Sequence, residues 1–251
     1  MIERQVRVFS RNGHDWSDLY PGIVRAAASL PCKSAIIDGE AVVQDENGVS
    51  NSDALGSAIR RQPHSIILYA FDLLHLDGKD LRQETLSERR AVLKNMIGDD
   101  ARGRIQFSDE FDGDGAAVFK ACADRALEGI VSKHALSPYR SGHSKTWLKT
   151  KCFTGSTFVV IGTDRDRKTG ALRALLAHND GTGLNYAGAA FIALGGEERA
   201  QFLGELKRLA TSWATFKGMH DVKWCHPRLI VEVKHLAGSK TLRHATVKRL
   251  S

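Results

Sequence analysis

The chain runs to 251 residues with a formal net charge of +7, and 42% of it is hydrophobic against 26% charged. That is enough chain for one large domain or two modest ones, each with a core of its own, in a composition ordinary for a globular protein. No run approaches the roughly 18–20 uninterrupted apolar residues of a membrane helix, and Met1–Arg7 has no apolar signal-peptide core.

Taken in chain order, Val6–Ser10 alternates like a strand and runs into the turn signal Arg11-Asn12-Gly13. Ser17 and Asp18 offer caps for a helix whose apolar positions include Leu19, Ile23, Ala26, Ala27 and Leu30. Ala35–Val43 reads as a strand interrupted by Asp38-Gly39-Glu40. Ser65–Leu74 is a second apolar, β-branched run, followed by the tight-turn pair Asp77-Gly78. Thr85-Leu86-Ser87-Glu88 is a capping box for a helix to about Ile97. Gly115–Leu127 has the pattern of another amphipathic helix, and Ile130–Ser132 and Trp147–Lys149 are short strand candidates.

After Lys151 the texture changes. Phe158–Gly162, Leu172–Ala177, Tyr186–Leu194 and Leu229–His235 read as short strands, with a helix from about Glu197 to Ala210 between the last two. The charge divides at the same place. Residues 1–152 carry 21 Lys+Arg against 21 Asp+Glu, whereas residues 153–251 carry 15 against 8, so the whole excess lies in the second segment. A basic segment joined to a neutral one points to a polyanion-gripping module attached to something else. Short strands with tight turns and one helix suit a small barrel of the oligonucleotide-binding kind. Cys32, Cys122, Cys152 and Cys225 form no Cys-x-x-Cys pair, which disfavours a zinc knuckle and a disulfide framework. Free thiols in a cytoplasmic compartment are expected.

Several short stretches can carry chemistry. Asp38-Gly39-Glu40 sets two carboxylates inside an apolar strand, where an acid must be paired, metal-bound or solvated at a bulge. Phe71-Asp72-Leu73-Leu74 reads equally as core plus an edge acid. Glu128-Gly129-Ile130-Val131-Ser132-Lys133 ends a helix with an acid and sends a lysine out of a strand. Trp147-Leu148-Lys149-Thr150-Lys151 alternates, so Lys149 and Lys151 share one side of a strand and invite an anion between them. A solvated edge strand is the other reading. Asp112-Gly113-Asp114-Gly115 is a loop and N-cap rather than a calcium loop, lacking the closing Glu. Asp164-Arg165-Asp166-Arg167-Lys168 reads as a solvated hairpin.

The order of these stretches, preceded by Ser10-Arg11-Asn12-Gly13, resembles the ATP-dependent DNA ligases, and most of all the bacterial ligases associated with end joining. The resemblance continues through Phe158-Val159-Val160-Ile161-Gly162 and Leu184-Asn185-Tyr186-Ala187-Gly188 and so covers nearly the whole chain. It implies an α+β fold: a nucleotidyltransferase (adenylation) domain of antiparallel sheets and helices at residues 1–152, then an OB-fold barrel at 153–251. It implies ATP as cofactor through an AMP intermediate, a Mg2+ or Mn2+ ion, and nicked or broken double-stranded DNA as partner, in DNA repair and recombination.

By matching position, Glu40 contacts the ribose or supports the metal, Phe71 stacks on adenine, and Glu128 helps hold the divalent cation. Lys133 belongs to the same nucleotide site. Lys149 and Lys151 neutralise the α-phosphate as catalytic residues, and Arg11 lies near the nucleotide or the nick phosphate. The family's first motif, Lys-x-Asp-Gly-x-Arg, is expected before Ser10 and does not occur in the chain. Asp77-Gly78-Lys79 is out of place for it. Thr241-Leu242-Arg243-His244 resembles the approach to the last motif, Arg-x-Asp-Lys, which is also not present. Three readings follow: a ligase whose adenylated lysine comes from a longer chain or from a partner, possible end-joining proteins included; a non-catalytic nick- or end-binding protein; and another nucleotidyltransferase such as an RNA ligase or capping-type enzyme, which the Arg-Asn-Gly and Trp-Leu-Lys-x-Lys contexts disfavour.

Overall fold

The computed structural model describes residues 5–251 apart from 47, 101, 112, 180, 182, 239 and 240, and only the backbone at Ser52 and Asp53. Its contacts divide the chain into two compact units, residues 1–115 with 131–149 and residues 116–130 with 150–251. Among the described residues no helix is long and apolar enough to cross a membrane.

The first unit is built on β1 (Ala35–Val42), β2 (Ile67–Leu76), β3 (Lys79–Asp80) and β4 (Ile105–Phe107). β1, β2 and β3 pair antiparallel as expected, but β4 pairs parallel to β2, so the sheet is mixed. The reason is the connection: helix α3 (Leu86–Ile97) carries the chain from one end of the sheet back to the other, and such a crossover sets its strands parallel. β2 turns into β3 through Asp77 and Gly78, both at positive φ, 48° and 91°, as a two-residue hairpin requires. Helices α1 (Pro21–Ala28), α2 (Ser52–Arg61) and α3 cover the core, in which Ile23, Ala58, Ile66, Ala70, Leu73, Leu93 and Ile105 are buried.

Local chemistry fixes the helix ends. Thr85 accepts from the Glu88 amide while the Glu88 carboxylate accepts from the Thr85 amide, the reciprocal cap expected. α1 starts at Pro21 rather than directly after Ser17 and Asp18, which form a short 3-10 turn, Ser17–Leu19. The Ser17 hydroxyl is already engaged, donating to Asp15 at 2.6 Å and accepting from the Val8 amide at 3.0 Å. Proline at the first helical position lacks only an N–H that would have no partner there. Val6–Ser10 is not a strand: its pairing reduces to one bridge between Phe9 and Asp15, across the turn closed by the Gly13 amide on the Ser10 carbonyl. α2 was not anticipated; its cap is the Asn51 side chain, which accepts from the Ala54 amide at 3.0 Å.

The second unit contains α4 (Gly115–Asp124) and five strands, β7 (Phe153–Arg165), β8 (Leu172–Asn179), β9 (Leu184–Ile192), β10 (Lys223–Leu236) and β11 (Thr246–Leu250). They pair in the cyclic order β7-β8-β9-β11-β10 and close into a barrel, with β9 and β11 parallel and the other neighbours antiparallel. Helix α5 (Gly196–Arg208) connects β9 to β10 and buries Phe202 in a core of Val160, Ala174, Leu176, Val231, Val233 and Val247. The strands run longer than their apolar stretches because bulges break the alternation, as between Val160 and Gly162. β5 (Gly129–Lys133) and β6 (Trp147–Lys151) form a separate two-stranded sheet.

Candidate nucleotide and phosphate site

In the first unit, side chains from three of the separated stretches converge. β2 carries Phe71, β5 carries Lys133 and β6 carries Trp147. The Lys133 ammonium lies 4.0 Å from the Phe71 ring centroid and 3.9 Å from that of Trp147. The two rings meet edge to face at 5.6 Å and 71°. A cation over an aromatic face is held by the ring quadrupole at about 0.5–2 kcal/mol. Burial nevertheless lowers the Lys133 pKa to about 8, with Arg90 reinforcing the shift and Asp72 and Asp38 opposing it.

β1 brings Asp38 opposite Asp72, and a register shift then sets Gly39 against Ala70. The strands are closest at Gly39, where a Cβ would lie 2.8 Å from the Tyr69 carbonyl oxygen, so the residue between the two acids must be glycine. Burial raises the Asp38 pKa, and the Asp72 charge adds to that. Asp72 itself is not an edge acid. It is fully buried and bound bidentately by Arg89, Nε to Oδ1 at 2.7 Å and Nη2 to Oδ2 at 2.8 Å. Arg90 beside it donates to the Phe71 carbonyl at 3.1 Å and the Ser108 carbonyl at 2.7 Å, fixing the backbone under the aromatic ring.

Of the expected site residues in this unit, the cluster therefore joins Phe71 and Lys133. Lys133 takes one face of the ring on which an adenine is expected to stack. Arg11, at the tip of the Ser10–Gly13 turn, Glu40, on β1 opposite Tyr69, and Lys149 on β6 have exposed side chains. An open cavity of about 540 Å³ lined by Gly22, Arg25, Ala26, Ser29, His64 and Arg104 contains none of the expected residues.

In the second unit, Glu128 and Lys151 are each met by one of two consecutive residues. The Arg243 guanidinium lies 3.3 Å from a Glu128 carboxylate oxygen, and the Lys151 ammonium lies 2.7 Å from His244 Nε2. An ammonium has no acceptor, so Lys151 donates and the His244 nitrogen accepts. Gly129, at φ 148°, is packed so closely against Thr150 and Lys151 that a Cβ would lie 2.9 Å from the Lys151 Cα. The Cys152 amide donates to the Glu128 carbonyl at 2.9 Å, tying the two stretches together.

No group of three or more His, Cys, Asp or Glu converges among the described residues. The Glu128 carboxylate is an oxygen donor, which fits a hard divalent cation that takes the rest of its ligands from water and phosphate. Arg89, Arg90, Trp147, Arg243 and His244 were not singled out as site residues. The signal for Arg89 was available: an acid inside the apolar run Ile66–Leu74 demands a buried cation. Arg243 and His244 lay in the stretch Thr241-Leu242-Arg243-His244, read only as the approach to the last motif, and no local feature pointed to their contacts with Glu128 and Lys151.

The family description "ATP dependent DNA ligase domain" matches residues 2–151, and the chain belongs to that family. The multifunctional non-homologous end joining protein LigD of Pseudomonas aeruginosa is 32% identical over 242 residues, covering 92% of this chain and 29% of LigD. LigD of Mycolicibacterium smegmatis is 28% identical over 241 residues, 92% of this chain and 31% of LigD. The chain thus spans under a third of the length of these relatives. Among solved structures, the ligase domain of M. tuberculosis LigD is similar with a TM-score of 0.54 and 25% identity, over 98% of this chain and 83% of that one. Mycobacterial DNA ligase D complexed with ATP and MES gives the same TM-score and identity, over 98% and 82%. The fold is that of a mixed α+β ligase domain.

Proposed function

We propose that the chain carries the nick-sealing part of an ATP-dependent DNA ligase of the end-joining type, acting on nicked or broken double-stranded DNA in repair. The observation that carries this is the convergence of Phe71, Lys133 and Trp147, drawn from three separate stretches, into one aromatic and cationic cluster. Its chemistry suits a flat base beside phosphate. In this reading residues 1–152 are the adenylation domain and residues 153–251 an OB-fold domain, a reading supported by a closed five-stranded barrel with one helix between its third and fourth strands. The basic barrel holds the DNA backbone, contributing salt-dependent phosphate contacts rather than base reading. Acting on chromosomal DNA, the protein belongs in the cytoplasm with the nucleoid.

The roles divide by chemistry. Phe71 and Lys133 bind the adenosine, with Arg11 and Glu40 at the nucleotide's edge. Lys149 and Lys151 neutralise charge on the transferring phosphoryl group, where catalysis is largely positioning and electrostatics. A Mg2+ or Mn2+ ion would supply further charge neutralisation when bound, and Glu128 is the carboxylate that would hold it. No Lys-x-Asp-Gly-x-Arg occurs among the 251 residues, so these residues carry sealing and not self-adenylation.

Two assays on the purified chain test this. Supplied with a nick already bearing 5′-AMP, it seals the nick in the presence of Mn2+. Incubated with radiolabelled ATP, it forms no covalent adduct that survives a denaturing gel. An adduct would place the nucleophile within this chain, and failure to seal the adenylated nick while DNA binding persists would overturn the sealing assignment.

A further inference from the structure

Two adjacent residues of the second unit engage the two groups assigned above to metal and phosphate. Arg243 reaches Glu128 at 3.3 Å and His244 reaches Lys151 at 2.7 Å. Neighbouring side chains on an extended chain point to opposite sides. Here they do not act as such a pair, because His244 sits in the left-handed region at φ 49°. Histidine, with asparagine and aspartate, is among the non-glycine residues that enter that region most often.

The surroundings are well built. The Leu236 amide donates to the Arg243 carbonyl at 3.0 Å, the Leu242 amide to the Ala187 carbonyl at 2.8 Å, and the Phe191 amide to the Ala245 carbonyl at 3.0 Å. The segment is thus pinned by β9 and by the end of β10 on either side of Arg243 and His244. The Ala237 amide donates to the Cys152 carbonyl at 3.0 Å, and Cys152 in turn donates to the Glu128 carbonyl. Close packing at Gly238, where a Cβ would meet the Ala126 carbonyl oxygen at 2.5 Å, completes the seat. Both carboxylate and guanidinium remain about a third exposed, 33% and 38%, so a solvated ion can reach them.

We propose that Arg243 is a positioning residue of the phosphoryl-transfer site: it orients the Glu128 carboxylate and, as a built-in cation, occupies the oxygen that a divalent metal must take. This rests on the reading of Glu128 as a metal-binding residue. His244 is the companion device, an acceptor that aims the Lys151 ammonium until a phosphate oxygen replaces it. Metal binding at Glu128 is therefore an exchange of one cation for another, and its apparent affinity carries the cost of displacing Arg243.

The test is a titration of the full chain with Mn2+ alone, following free Mn2+ by its electron paramagnetic resonance signal, with thermal melts alongside. Arg243→Gln binds Mn2+ about three- to tenfold more tightly than the parent, the change expected on removing one partly screened competing charge. Arg243→Lys, which restores a cation, returns the affinity toward the parent's, whereas Glu128→Gln weakens binding. Arg243→Met serves as a second neutral variant if the glutamine form melts early. Unchanged or weaker Mn2+ binding in the neutral Arg243 variants, with Glu128→Gln still impaired, overturns the exchange while leaving the role of Glu128 standing. Unchanged binding in Glu128→Gln removes the metal reading itself and the proposal with it. A purely structural Arg243 would shift the melts and not the affinity.

Discussion

Arg89 and Asp72 form a fully buried, bidentate ion pair that joins α3 to β2 beneath the Phe71 ring, with the remaining Arg89 donors reaching the Glu84 carbonyl at 2.7 Å and the Ser137 carbonyl at 3.3 Å. Every strong bond is satisfied, so the arrangement is stable as a pair and fragile as singles. Arg89→Met strands a buried carboxylate, and we expect a loss of about 3–5 kcal/mol in stability. Replacing both partners with apolar side chains, Asp72→Leu with Arg89→Met, recovers most of that loss. Denaturant midpoints for the two single variants and the double variant measure it; additive losses would contradict the pairing.

Lys133 predicts a pH dependence whose sign follows from its environment. Its pKa falls from 10.5 to about 8 because burial disfavours the charged form. Between those values the unfolded chain holds a proton that the folded chain has released, so stability rises with pH across that window. Below about pH 8 both states carry the proton and the burial cost stands in full. Lys133→Met should therefore gain about 1 kcal/mol at neutral pH, after discounting for partial exposure and for the lost contacts with two aromatic rings. The gain disappears as pH rises past 10.5. Urea unfolding of both proteins across that range checks it, and a parallel offset at all pH values would refute it. The same variant frees one face of Phe71, so ATP affinity measured alongside reports whether the lysine or the adenine owns that face.

Legibility in the sequence followed locality. The capping box at Thr85, the turn at Asp77-Gly78 and the apolar runs of the barrel announce themselves within a few residues, and the structure forms each of them. α2 escaped although Ala54, Leu55, Ala58 and Ile59 are spaced for one helical face, because the run is short and set among arginines and small residues. β4 is three residues long and gains its place only by pairing with β2. At the site, Phe71 and Lys133 could be placed together by motif order, yet their direct contact could not. The Arg243–Glu128 pair spans 115 positions, and no local pattern encodes a contact at that separation. For Asp72, where an edge acid was one reading, the apolar run called for a buried cation without saying which: its neutralising arginine lies 17 residues on, in another element.

Gly129 follows Glu128 as the first residue of β5, the strand that carries Lys133, and its φ of 148° is open to glycine and strained for other residues. A methyl group there collides with the Thr150 backbone and approaches the Lys151 Cα to 2.9 Å. We expect Gly129→Ala to cost about 2–3 kcal/mol. Because the displaced backbone bears Glu128 on one side and Lys151 on the other, sealing of a 5′-adenylated nick should fall further than the melt alone accounts for. Rates on folded protein, well below the melting temperature, separate the two effects. An alanine variant that seals at the parent's rate would show that this close approach serves packing only.

The basic barrel makes the last prediction. Residues 153–251 hold 15 Lys+Arg against 8 Asp+Glu, but many of those cations are already spent within the unit. Arg173 is bound to Asp164 and Asp166, Arg208 to Glu205 and Arg249 to Glu232. Arg167 and Lys168 differ: they sit exposed at the β7–β8 turn, which Asp166 holds in shape by accepting from the Lys168 and Thr169 amides. If that turn touches the DNA backbone, each cation releases about one counterion on binding. Arg167→Ala with Lys168→Ala should then weaken nicked-duplex binding and flatten the slope of log affinity against log salt by about two, without altering base preference. Asp166 is outside the substitution, so the turn survives and a loss of binding is not a loss of fold. Fluorescence anisotropy at several salt concentrations gives the slope. An unchanged slope would move the DNA contact to another face of the barrel, and an altered sequence preference would contradict backbone-only recognition.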